Sequence, residues 1–253
     1  MEILLTAAFA LLGAVLASFI AVVAERAYTG QSWAQGRSRC DSCRTVLAFR
    51  DLVPVLSWCL NRGRCQHCGS RLTFGYVLGE LALGLLFALG YHALGVSLAL
   101  LPFLVALCVL FFITLYDLRH TVVPPVSSLL LLFATFAFAV LAHEDQASLG
   151  LSLLVAGAIS LFIFLLHACS RGRAMGLGDA PVAFALALLV GSTHAFPGLV
   201  FSFWIGALFG VGLLLGRRGR PTMGREVPFV PFLAAGFLLA YFTQWNPFPL
   251  SGL

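Results

Sequence analysis

Five aspartates occur in the 253 residues, and two of them stand where a carboxylate is costly. Asp117 closes the apolar run from Leu107 to Tyr116, and Asp179 opens the apolar run that follows Gly176-Leu177-Gly178. An aspartate at the centre of a membrane span costs about 2.5–3.5 kcal/mol, and less near the interface. Either residue alone is explained as a marker of the water boundary. As a pair they suggest chemistry. Two carboxylates brought together cannot readily both ionise, so one proton is shared. One can then deprotonate water while the other protonates a carbonyl oxygen, which is hydrolysis without a covalent intermediate or a catalytic metal. Gly176 and Gly178 would support the pair by letting another helix approach the backbone. No G-x-S-x-G or H-E-x-x-H run offers a competing hydrolytic set.

The second constellation is Cys40-x-x-Cys43 and Cys65-x-x-Cys68, with 21 residues between the two knuckles. This spacing can place four thiolates around one tetrahedral Zn²⁺. Gly63 and Gly69 flank the second knuckle and suit a tight backbone. Four thiolates complete the shell, which makes the metal structural and leaves His67 a bystander. Cys59, Cys108 and Cys169 read as small apolar residues.

Those residues need elements to position them. Hydrophobic residues make up 60% of the chain and charged residues 10%, against about 25% charged in an ordinary soluble domain; mean hydropathy is +1.00. The pattern predicts an all-α polytopic membrane protein with about eight transmembrane helices, at 3–24, 76–95, 98–116, 126–142, 148–169, 179–193, 198–216 and 227–243, seven being the alternative count. Three regions follow: a first transmembrane helix over 1–24, a polar zinc-binding segment over 25–75, and a helical membrane domain over 76–253 carrying the aspartates. The first helix has no basic residue ahead of it, so it reads as a retained span with its N-terminus outside rather than a signal peptide.

Every one of the 15 basic residues is Arg, and all fall in 25–75, 117–125, 170–178 or 217–226. With eight spans these segments share one side, whereas a loop on the other side carries Glu144 and Asp145. The positive-inside rule then puts the zinc segment and both aspartates at the cytoplasmic face. There thiols stay reduced, which favours metal over disulfides. The net charge of +5 is explained by this asymmetry and by contact with anionic membrane lipid; nothing resembles a nucleic-acid-binding module.

Taken together these residues resemble the type IV prepilin peptidases, a bacterial leader peptidase and N-methyltransferase family of the aspartic GxGD type. The resemblance runs from Gly13, Ser18-Phe19 and Arg26 through both knuckles, with Pro54, Ser57-Trp58 and Arg62-Gly63-Arg64-Cys65 between them. It continues through Glu80, Asp117, Pro124 and Gly176-Leu177-Gly178-Asp179 to Pro228-Phe229-Val230-Pro231-Phe232-Leu233. It implies that Asp117 and Asp179 are a protease dyad at the inner bacterial membrane. It implies prepilin or pseudopilin substrates, cut after a Gly at the cytoplasmic edge of their N-terminal hydrophobic helix. It also implies methylation of the new N-terminus from S-adenosylmethionine, for which the sequence shows no fingerprint. The chain departs from the family pattern at Ala21, usually Asn; at Asp51-Leu52-Val53, usually an acidic-Asn pair; at Pro181, often Lys; and at Val230, usually Gly. These departures bear on methyl transfer and substrate contacts, because no proposed catalytic carboxylate is lost.

Two other readings share some residues. A signal-peptide-peptidase or presenilin-like protease would also carry Tyr116-Asp117 and Gly176-Leu177-Gly178-Asp179, but the cysteine clip is foreign to it. A small proton-coupled transporter would use the two aspartates as proton sites; such folds are often built from repeats, and none is visible here.

Overall fold

The computed structural model describes the chain except residues 31, 33–38, 41, 47–52, 143–145, 174, 217–226 and 248–253. Among the described residues all regular structure is helical, apart from two isolated β-bridges. The helices gather into two compact units, Met1–Val96 and Ser97–Leu253.

The first unit holds α1 (Glu2–Thr29), the short α2 (Leu56–Leu60) and α3 (Phe74–Leu94). Gly13, Ala14, Ala17, Ala21 and Ala24 form the buried stripe of α1. The stripe meets α3 backbone to backbone: a Cβ on Gly13 would lie 2.7 Å from the Leu83 carbonyl oxygen, and one on Gly84 would lie 2.8 Å from that of Ala10. Small residues drive such close helix pairing where lipid removes the hydrophobic incentive. This packing groups Phe74–Leu94 with the first helix and the cysteine segment, although by sequence position it opens the long helical region.

The second unit holds α4 (Leu100–His120), α5 (Pro125–Ala142), α6 (Gln146–Ser170), α7 (Asp179–Val190), α8 (Ser192–Gly216) and α9 (Val230–Thr243). At its centre is α7, with ten of its twelve residues buried. It packs against α5, α6, α8 and α9. Gly191, at φ +78°, ends α7 and lets α8 begin at the next residue. That start is earlier than the expected 198, because Pro197 is accommodated inside the helix. α8 and α9 touch as closely as α1 and α3: a Cβ on Gly198 would lie 2.7 Å from the Phe237 ring, and one on Gly236 would collide with Ser202.

Among the described residues six helices are long and apolar enough to cross a membrane: α1, α3, α4, α5, α6 and Ser192–Leu213 of α8. The remaining two expected spans correspond to α7 and α9, with 12 and 14 residues. At 1.5 Å per residue these are roughly 18 and 21 Å long, short of a hydrocarbon core about 30 Å thick. Hydropathy marks such segments as apolar because they are buried in protein, and cannot tell protein burial from burial in lipid.

Candidate functional site

Asp117 lies in the last turn of α4, where Thr121, at φ 52°, ends the helix and returns its N–H to the Asp117 carbonyl at 2.8 Å. The Asp117 side chain is 4% exposed. Its Oδ2 accepts the Val230 N–H at 3.1 Å. Val230 is the first residue of α9, so a helix start supplies the donor. Asp179 is the first residue of α7 and is 5% exposed. Its Oδ2 accepts the Gly176 N–H at 3.0 Å, closing a tight loop over the carboxylate. Both aspartates are therefore buried in one unit and fixed through Oδ2 by backbone donors. The hydrogen bonds among the described residues leave Oδ1 of each unused. The Asp117 carboxylate and the His167 ring both act electrostatically on Asp179.

The two glycines before Asp179 do different jobs. A Cβ on Gly178 would lie 2.6 Å from the Val123 Cβ, so the segment leaving α4 presses directly on the loop before α7. A Cβ on Gly176 would sit 3.5 Å from Asp179 Oδ2, an ordinary contact. Gly176 contributes its N–H, whereas Gly178 contributes the space that brings the two aspartate-bearing segments together. Three further groups fix the aspartate-bearing segments, and the sequence reading gave none of them that role. His167 Nδ1 lies 2.8 Å from the Met175 carbonyl, which can only accept, so Nδ1 carries the proton. Ser160 Oγ donates to the Ala180 carbonyl at 2.9 Å. Val230 was visible only inside the Pro228-Phe229-Val230-Pro231 motif, because a backbone donor leaves no side-chain signature.

In the first unit Cys40, Cys43, Cys65 and Cys68 converge, with all four sulfurs within 4.8 Å of one another and Cys40 Sγ 3.9 Å from Cys68 Sγ. A Zn–S bond of about 2.3 Å puts tetrahedral sulfurs about 3.8 Å apart, so the donor set fits one zinc ion. The two knuckles are structural copies. The Cys40 carbonyl accepts the Arg44 N–H and the Cys65 carbonyl accepts the Gly69 N–H, both at 2.9 Å. Arg44 and Gly69 both take positive φ, 58° and 70°. Bridges Arg39–Val46 and Arg64–Arg71 close the two copies. Backbone N–H groups of Cys43 and Ser42, with the Ser70 hydroxyl, pull the Cys40 thiol down to about 6, which suits a thiolate ligand.

The clip is fastened to α3. Trp58 of α2 stands edge-on to Phe74 with ring centroids 5.4 Å apart, and it covers Gly63, whose Cβ would meet the indole at 2.8 Å. Buried Glu80 reaches back from α3 and accepts the Val55 N–H at 2.7 Å. Ala21, the first of the departures noted in the sequence, is buried in the small-residue stripe of α1. The cavity beside the second knuckle, lined by Asn61, Arg64, Cys65 and Gln66 among others, is about 40 Å³. It has room for a water or two and not for a nucleoside cofactor.

Among the described residues the regular structure is helical, six helices are long and apolar enough to cross a membrane, and a four-cysteine clip accompanies them, which is the build of a membrane protein. Residues 11–94 match the Bacterial Peptidase A24 N-terminal domain, and residues 104–211 match the Type IV leader peptidase family. The chain is 32% identical over 229 residues to a prepilin leader peptidase/N-methyltransferase of Bacillus subtilis (strain 168), covering 90% of both chains. It is 31% identical over 220 residues to the protein of that name from Dickeya chrysanthemi, covering 83% of this chain and 75% of the other. It is 31% identical over 215 residues to that from Myxococcus xanthus (strain DK1622), covering 83% of this chain and 64% of the other. No solved structure matches the chain at a significant level. The chain belongs to the type IV leader peptidase family.

Proposed function

We propose that Asp117 and Asp179 are the proton-sharing dyad with which this leader peptidase hydrolyses the leader of a type IV prepilin or pseudopilin. The observation that carries the reading is the shared environment of the pair: two buried carboxylates in one unit, each held through Oδ2 by a backbone N–H. The ionised aspartate takes a proton from water as the water oxygen bonds to the scissile carbonyl carbon. The protonated aspartate gives its proton to the carbonyl oxygen. Collapse of the resulting gem-diol transfers a proton to the amide nitrogen, breaks the C–N bond and returns the dyad to one proton. Either residue serves as base or acid, since the pair and not the site owns the proton.

Asn keeps the shape of Asp and cannot exchange the proton. Asp117→Asn and Asp179→Asn should each abolish cleavage of a prepilin in detergent while the protein remains inserted. The double variant should be no worse than either single one, because residues acting as a unit are not additive. Mass spectrometry of the product reads cleavage, position and methylation together. Substantial cleavage by either single variant, at matched protein level, returns the aspartates to boundary markers.

The orientation that supports this reading puts the cysteine segment and both aspartates on the cytoplasmic side of the inner membrane, with all eight apolar helices embedded. It rests on the Arg distribution. Arg217, Arg218, Arg220 and Arg225, the acidic loop at Glu144 and Asp145, and Asp41 and Asp51 lie outside the described residues. Zn²⁺ held by the four cysteines would act structurally, supplying folding energy to a short polar segment. Methyl transfer is the second activity in the relatives' names; S-adenosylmethionine would supply the methyl group. The 40 Å³ cavity does not accommodate it.

A further inference from the structure

The central helix α7 is sealed from its surroundings except along one short line. Of Asp179–Val190, only Pro181 and Phe184 are not buried. They are three residues apart and so stand one turn above the other on the same face. Both open into a groove of about 520 Å³ lined by Leu132 of α5, Gly157, Ser160, Leu161 and Phe164 of α6, and Ala180 of α7. The groove begins at the residue next to Asp179. It continues along α7 to Phe184 and back along α6 from Phe164 to Gly157, roughly 10 Å of helix.

Three features say what fits there. The lining is apolar, and its hydroxyl, Ser160 Oγ, is already engaged with the Ala180 carbonyl. Gly157 faces open space, since a Cβ built on it meets no atom within 4 Å. An interior glycine is costly in a helix, and this one leaves room for a neighbouring backbone to approach. The groove also starts beside the proposed chemistry, at the residue next to Asp179. On the function proposed above, the apolar helix that follows the scissile bond leaves the dyad along the first apolar surface beside it, which is this groove.

We propose that this α5–α6–α7 groove is the docking track for the substrate's N-terminal hydrophobic helix, which enters sideways from the lipid and lies against Gly157, Pro181 and Phe184. The proposal rests on the dyad reading above. The track makes the helix following the cut a specificity determinant, separate from the chemistry at the aspartates.

Gly157→Leu places a bulky side chain at the track, and its Cβ meets no existing atom within 4 Å. Gly210→Leu on α8 is the control, because a Cβ there also meets nothing and Gly210 does not line the groove. Each variant is assayed on a full-length prepilin and on a peptide ending a few residues past the cleavage site. Gly157→Leu should lower kcat/KM for the full-length substrate at least tenfold more than for the short peptide, and Gly210→Leu should match wild type on both. A photo-crosslinking residue at exposed Leu161 should capture the helix of the full-length substrate in membranes. Equal losses on both substrates, wild-type rates on both, or crosslinks to lipid alone would overturn the track. Retained cleavage by Asp117→Asn would sink the dyad whatever Gly157→Leu does, whereas equal losses by Gly157→Leu on both substrates would sink the track and leave the dyad standing, so the two failures are distinguishable.

Discussion

Gly178→Ala tests how the site is assembled without altering any group proposed to do chemistry. Gly178 has φ −68° and ψ −16°, which alanine adopts without strain, so the perturbation is steric. The new Cβ would fall 2.6 Å from the Val123 Cβ, where ordinary contact begins near 3.4 Å. About 0.8 Å must therefore open between the segment after α4 and the loop before α7. Overpacking of this kind costs about 1–3 kcal/mol. Because Asp117 precedes one segment and Asp179 follows the other, the opening moves the two carboxylates apart, and a misplacement near 1 Å costs about 10²-fold in rate. The expectation is a fall in kcat of roughly 30- to 100-fold on a prepilin substrate, with the protein still inserted. Gly176→Ala, whose Cβ makes only an ordinary contact, should fall by no more than a few fold. Val123→Gly removes the colliding atom and should restore much of the lost rate in the Gly178→Ala background. Wild-type turnover by Gly178→Ala, or no recovery with Val123→Gly, would refute the idea that this contact sets the separation of the pair.

Three other outcomes follow from the two units. One Zn²⁺ per chain is expected by elemental analysis, and a Cys40→Ser, Cys65→Ser double variant that keeps its full zinc would contradict the assignment. A cysteine introduced at position 145, but not one at 217, should react with an impermeant reagent in whole cells; the reverse pattern would invert the proposed orientation. Cleavage should show a bell-shaped dependence on pH with apparent values belonging to the coupled pair, and a single sigmoid lost at one residue's substitution would argue for one titrating group.

How much of this was legible in the sequence depends on whether side chains or backbone carry the information. The cysteine clip was legible because its chemistry resides in four side chains at fixed spacing, and those four converge. Its internal copying was harder to read: Arg44 and Gly69 share a positive φ at the same offset from their cysteines, yet one is a residue that seldom adopts it. Asp117 and Asp179 stood out through their cost in an apolar run. What fixes them did not, because the Val230 and Gly176 donors are backbone N–H groups that any residue but proline would supply.

The burial of α7 shows why the rest was hidden. To a hydropathy window its Ala-Leu-Val run looks like a span facing lipid, yet ten of its twelve residues are buried in protein, and its alanines Ala180, Ala183, Ala185 and Ala187 help four other helices close around it. That packing explains a helix of only 12 residues at the heart of a membrane unit: its polar first turn is supported by the Met175–Asp179 loop and its far end by Gly191, so neither end has to reach a membrane surface alone. A short central helix also lets Asp179 sit at the edge of an apolar environment while remaining buried. In the proposed mechanism that is what the pair needs: surroundings dry enough to make two carboxylates share a proton, and a route for water to the Oδ1 atoms that the backbone donors leave unused. Lengthening α7 at its start would bury the carboxylate beyond water, whereas loosening the Gly176–Asp179 loop would release it to solvent, and either change would separate the acid from the base.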